Sequence, residues 1–202
     1  SMRSFTLAIF LPASAALAAL TVWAAASGQP GGRRIAGLVT LGAVAGLVAA
    51  VAYDLFRIPF VFSKELGLEG WIPHLRLFKV FPRFGAMILG QPIEQPRYSL
   101  AAHLIGWAYH FSNGLTFGVM YVALVGDPRR HWLWAVLMAL VLELWMVLSP
   151  YPGVFQIHLT ATFVAVTMLA HLIFGVALGF ACRRLPIPWS RAAARPPQPA
   201  TC

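Results

Sequence analysis

The chain has 202 residues, 59% of them hydrophobic and 10% charged, with a formal net charge of +9 and a mean hydropathy of +0.74. Soluble domains are about a quarter charged, so this composition excludes an ordinary soluble domain and points to a polytopic membrane protein. The positive charge does not indicate a nucleic-acid partner. The basic residues stand in short clusters at the ends of apolar runs, and no long Lys/Arg run is present to track a phosphate backbone.

The apolar runs predict an all-α integral membrane bundle of five transmembrane helices in a single domain over residues 1–185. The spans are placed at 5–26, 35–53, 100–125, 132–148 and 154–181. An amphipathic interfacial segment is placed at 75–89, and a disordered, basic, Pro-rich tail at 186–202. Residues 5–26 also fit a signal peptide, but their apolar region exceeds the usual length of about 7–15 residues, so they are read as a retained helix. Gly28–Arg34 reads as a turn. The second span carries Gly42-x-x-x-Gly46, a spacing that lets a neighbouring helix approach closely, and Asp54 and Arg57 follow at its end.

In the long connection, Arg76, Lys79 and Arg83 share one helical face, and Leu77, Phe81, Phe84 and Ile88 share the other. Such a segment lies in the headgroup layer with its basic residues towards lipid, and Pro82 is expected to kink or split it. The third span places His103, His110 and Asn113 in an apolar run, with His103, His110, Gly114, Phe117 and Tyr121 on one stripe. The fourth contains Glu143 and the fifth His158 and His171.

Arg33/Arg34, Arg129/Arg130 and Arg183/Arg184 fall on one side of a five-span arrangement. By the positive-inside rule that side is cytoplasmic, which puts the N-terminus outside and the C-terminus inside a bacterial inner membrane. Asp54, Arg57, His103, His110, Glu143 and His158 then share the outer half of the bilayer. His171 falls about 20 Å below His158 at about 1.5 Å per residue, and is read as a packing or hydrogen-bonding histidine.

Ionisable groups at membrane depth need partners, because lipid offers none. Two or three imidazoles with one carboxylate suit a mononuclear transition metal. His103, His110, Glu143 and His158 are therefore the candidate ligands of Fe, Zn, Mn or Cu, with Asp54, Arg57, Asn113 and Tyr121 around them or touching substrate. Haem ranks lower, because the spacing of His103 and His110 does not match that of His158 and His171. The leading function is a metal site acting on a small or lipid-soluble substrate. The alternative is a transporter or scaffold in which the cluster is a hydrogen-bond network or proton relay. The bilayer, a small hydrophobic substrate and a second copy of the chain are the expected partners.

The pattern Gly106-Trp107-x-Tyr109-His110-Phe111-x-x-Gly114-x-x-Phe117-Gly118-x-x-Tyr121 resembles a helix of small uncharacterised multi-pass bacterial inner-membrane families, and Ala170-His171-Leu172-x-x-Gly175-x-x-x-Gly179 resembles a second. The resemblance covers about a quarter of the chain and implies a compact multi-pass protein and no particular activity.

Overall fold

A computed structural model describes residues 2–188, all described elements of which are helical. The tail predicted at 186–202 lies outside the described residues from 189 onwards. The N-terminal apolar run forms α1 (Met2–Phe5), a π-helical stretch (Thr6–Phe10) and α2 (Leu11–Ala26). α3 (Pro30–Val61) begins on a proline, whose missing N–H costs nothing at a helix start. A 3₁₀ turn (Leu77–Lys79) leads into α4 (Val80–Leu89). α5 (Leu100–Val125) is capped by Ser99, whose Oγ accepts from the Ala102 N–H at 3.2 Å. α6 (Leu133–Leu148), the short α7 (Tyr151–Val154) and α8 (Ala161–Arg184) follow. Thr160 caps α8 by accepting from the Phe163 N–H at 3.1 Å.

α3 is the central helix and packs against α2, α5 and α8, while α6 packs on α8 and α4 on α5. Glycines make the closest of these contacts. A Cβ on Gly42 would lie 2.7 Å from the Gly118 carbonyl oxygen, and one on Gly46 would collide with the Gly114 carbonyl. The α4–α5 contact works likewise, with Gly85 against Ala102 and Gly106 against the Phe81 carbonyl. The close approach predicted at Gly42-x-x-x-Gly46 is thus made within the chain, by α5.

Among the described residues, three helical stretches are long and apolar enough to cross a membrane: Met2–Ala26, Pro30–Val61 and Ala161–Arg184. This corrects the prediction of five spans. α6 is apolar but only 16 residues long. α5 has the predicted bounds and ample length, but His103, His110, Ser112 and Asn113 interrupt its apolar character.

Helix ends also move, α3 beginning at Pro30 inside the predicted Gly28–Arg34 turn. α3 continues to Val61, so Asp54 and Arg57 lie inside a helix rather than beyond its end. The predicted 154–181 span begins instead at Ala161, because Tyr151–Val154 closes as a separate turn and Gln156 takes a positive φ of 52°. His158 is therefore outside any helix. Finally, α4 does not lie free in an interface. Its Phe81, Pro82, Phe84, Gly85 and Ala86 are buried. Pro82 neither kinks nor splits it, because it sits in the first turn, where the backbone N–H has no helical acceptor.

Candidate functional site

Charged residues inside apolar helices leave the site few places to be. Asp54 and Arg57 are one turn apart on α3 and buried, at 8% and 3% exposure. Arg57 Nη1 lies 3.3 Å from Asp54 Oδ1, and Nη2 donates to the Leu77 carbonyl at 2.8 Å. Its guanidinium also stands over the rings of Tyr53, Phe78 and Phe81 at 4.7, 5.2 and 5.3 Å. A planar, weakly hydrated cation tolerates such an aromatic setting better than an ammonium does. The other Asp54 oxygen faces α5, with Oδ2 2.8 Å from His110 Nε2.

A second pair lies across Tyr53. His171 on α8 places Nδ1 3.2 Å from Glu143 Oε2 on α6. The same nitrogen lies 3.0 Å from the Thr167 carbonyl. One N–H cannot serve both, and the Thr167 carbonyl has the hydrogen-bonding direction. Glu143 Oε2 is consequently a buried acceptor with no donor among the described residues. The Tyr53 ring meets His171 edge-on at 5.0 Å and stands 5.9 Å from His110, so one aromatic separates the two histidine–carboxylate pairs.

His110, Glu143 and His171 line a cavity of about 910 Å³, with Asp54 behind His110. Its wall is otherwise largely apolar and aromatic, with Phe81, Phe84, Phe117, Leu142, Phe163 and Phe174 contributing. Arg57, Glu143 and His171 are its deeply buried lining. Arg76, Glu94 and His158 are exposed lining residues and mark its mouth. At the mouth, Lys79 Nζ bonds Glu94 Oε2 at 3.0 Å and Arg83 Nη2 bonds Glu94 Oε1. Arg83 Nη1 further donates to the Phe155 carbonyl at 3.0 Å. The Lys79 hydrogen bond, opposed by partial desolvation and reinforced by the Arg83 charge, holds the Glu94 carboxyl below its ordinary range. Burial pushes the Tyr151 hydroxyl, also on the wall, far above its own.

The four residues read as metal ligands are not brought together. His110 belongs to Asp54, and Glu143 to His171. His103 is exposed and meets only the Tyr98 ring edge-on at 6.2 Å. His158 reaches the cavity at its exposed mouth, outside any helix. Among the described residues no group of three or more His, Cys, Asp and Glu side chains could hold a metal ion. The ligand set is corrected for a physical reason: α8 begins seven residues later than predicted, which turns His158 out of the bundle and leaves His171 facing α6.

Asp54, Arg57 and Asn113 were expected near the site. The first two build it, and Asn113 lines the cavity. Tyr121 does not. It is fully buried in the apolar core with Val122, Phe174, Leu178 and Cys182. Of the three basic residues expected to face lipid, Lys79 and Arg83 turn instead to Glu94, because the aromatic face of α4 is claimed by α5; Arg76 is exposed.

Sequence reasoning missed Tyr53 and set His171 apart from the site as a packing or hydrogen-bonding histidine; it does hydrogen-bond, to the Thr167 carbonyl, but beside Glu143 on the cavity wall. Tyr53 could have been found as the residue preceding Asp54. His171 needed the capping signal of Thr160, which sets the start of α8. No family model, no curated protein and no solved structure matches this chain.

Proposed function

We propose that this chain is a membrane protein that binds a lipid-soluble small molecule in the cavity between α3, α5, α6 and α8, and exchanges protons or hydrogen bonds with it through two histidine–carboxylate pairs. One observation carries the reading. Glu143 is 2% exposed and lines the cavity, yet its Oε2 has no donor among the described residues. A buried acceptor without a donor costs about 1–3 kcal/mol, and more when it is charged. A hydroxyl or N–H brought in by a ligand removes that cost. Asp54 differs, because Arg57 and His110 already take up both of its oxygens. The arrangement assigns Asp54–His110 to a fixed polar wall and Glu143–His171 to the reacting or recognising one.

Apolar setting supports the reading. Helices of membrane-crossing length carry Asp54 and His171, and in lipid-embedded proteins such groups mark ligand sites and proton relays. The proposal favours a carrier or relay over the metal site that the sequence suggested, because the side chains form pairs rather than a ligand shell.

Infrared difference spectroscopy on protein in lipid nanodiscs tests it. Hexadecanol, a lipid-soluble hydroxyl donor, is expected to shift a carboxyl band that Glu143→Gln removes and Asp54→Asn retains. Leu142→Trp, which fills the cavity, is expected to abolish the shift. A spectrum unchanged by hexadecanol, or a shift that survives Glu143→Gln, overturns the proposal.

A further inference from the structure

The charges at the two ends of the cavity differ in sign. At the buried end stand one guanidinium, Arg57, and two buried carboxylates: Asp54, its ion-pair partner, and Glu143 on the cavity wall. At the mouth Arg76, Lys79 and Arg83 face a single carboxylate, Glu94. That carboxylate is used fully: Oε2 takes Lys79 at 3.0 Å and Oε1 takes Arg83. Arg76 remains exposed with no ion pair among the described residues. Glu94 itself sits in the connection between α4 and α5, with its side chain 43% exposed. Arg83 is different, since its side chain is only 11% exposed and is also held by the Phe155 carbonyl. Arg83 is therefore anchored more firmly than the acid it binds.

We propose that the mouth is an anion site, that Glu94 occupies it in the place of a ligand's own carboxylate or phosphate, and that the ligand is an amphiphile with this anionic head at the mouth and its apolar body in the aromatic cavity. The inference rests on the cavity-binding reading above and adds the class of ligand. A carboxylate or phosphate head matches what Lys79 and Arg83 already bind, since each of the two cations takes one oxygen of the Glu94 carboxylate through a charge-assisted hydrogen bond. The body fits the lining of Phe81, Phe84, Phe117 and Phe163. The far end of the body reaches Glu143, where a hydroxyl is the complementary group. Incoming head and Glu94 compete for the same two cations, so the loop carrying Glu94 is released when the ligand binds.

Competition gives the test an unusual sign: neutralising an acid must strengthen the binding of an acid. The probe is ω-hydroxyhexadecanoate, with hexadecanediol as its neutral counterpart and acetate as the free anion, each titrated calorimetrically into protein in phosphatidylcholine nanodiscs. Glu94→Gln is expected to tighten binding of the hydroxy acid about threefold, the scale of an exposed ion pair. Lys79→Gln and Arg83→Gln are expected to weaken it about tenfold, the scale of a lost charge-assisted hydrogen bond. Neither substitution alters hexadecanediol binding. Arg83 also ties down Phe155, so Lys79→Gln keeps the test decisive if Arg83→Gln fails to fold.

Equal affinity for the diol and the hydroxy acid, with no effect of Glu94→Gln, overturns the anion site and leaves the cavity reading standing. Weaker binding in Glu94→Gln makes Glu94 a ligand contact and overturns the competition. Acetate displacing the hydroxy acid at equal concentration overturns the amphiphile in favour of a free anion. No binding of either long-chain probe overturns both this inference and the reading beneath it.

Discussion

Arg57 is held from several sides: by Asp54, the Leu77 carbonyl and three aromatic faces. Removing one member of a buried pair leaves the other charge uncompensated, which costs about 3–5 kcal/mol. Arg57→Met is accordingly expected to lower stability by about 3 kcal/mol or more in denaturant titrations in detergent. Asp54→Asn leaves Arg57 without its counter-charge but with the Leu77 carbonyl and three ring faces, and is expected to cost less, about 1 kcal/mol. Equal losses would mean that Arg57 is held by the Asp54 charge rather than by the aromatic rings. The polar residues of this site were legible in the sequence because each interrupts an apolar run: Arg57, His110 and Glu143 reach the cavity, and Asp54 pairs with the first two. Their pairing was not. Pairing depends on where each helix starts, and a shift of seven residues exchanged His158 for His171 as the neighbour of Glu143.

At the scale of elements, the helices were readable and their ends were not. α5 keeps its predicted bounds because Ser99 and Gly126 punctuate it. α8 does not, because Pro152 and Gly153 close a separate turn before Thr160 starts the helix. α4 illustrates a different limit. Its basic face and aromatic face were both visible, but a periodic pattern cannot say whether lipid or a neighbouring helix covers the aromatic one. Its contacts make a pH prediction. The Glu94 carboxyl titrates below its ordinary value of 4.5, chiefly through the Lys79 hydrogen bond. A depressed folded value contributes stability above the ordinary value, and this contribution is lost as pH falls through the lowered one. Amide protection in the connection between α4 and α5, taken relative to the intrinsic exchange rate at each pH, is therefore expected to be high at neutral pH and to fall as pH drops below 4.5. Glu94→Gln should show the low protection throughout. A connection equally protected at both ends of the titration would contradict the Glu94 clasp.

Taken as a whole, the molecule presents apolar side chains outwards. Trp23 and Trp145 are 69% and 75% exposed, with Leu17, Leu20, Val22 and Leu144 also uncovered, whereas Trp107 packs among Phe78, Phe81 and Phe111. In water such a surface would aggregate. In a bilayer it is ordinary. Lipids with brominated chains, which quench indole by contact, are expected to quench single-tryptophan variants retaining Trp23 or Trp145 strongly and one retaining Trp107 weakly. Equal quenching of all three would mean that the packed cluster is open to lipid, and no quenching of Trp23 or Trp145 would place those faces outside the hydrocarbon. Composition announced this apolar exterior from the outset; it did not announce how many helices cross.

The glycine seams divide the chain into two kinds of position. Along α3 and α5, Gly42, Gly46, Gly114 and Gly118 touch the opposing helix directly, and Gly85 and Gly106 repeat the arrangement between α4 and α5. A single added methyl at these places pushes whole helices apart, and with them the walls of the cavity. On the outward faces, one aliphatic side chain serves as well as another. Descendants of this sequence can therefore drift freely over most of their surface while staying tied to hydrogen at a few interior points. Two copies that have lost nearly all recognisable identity would still share the skeleton of those small residues, and with it the shape of the chamber they enclose.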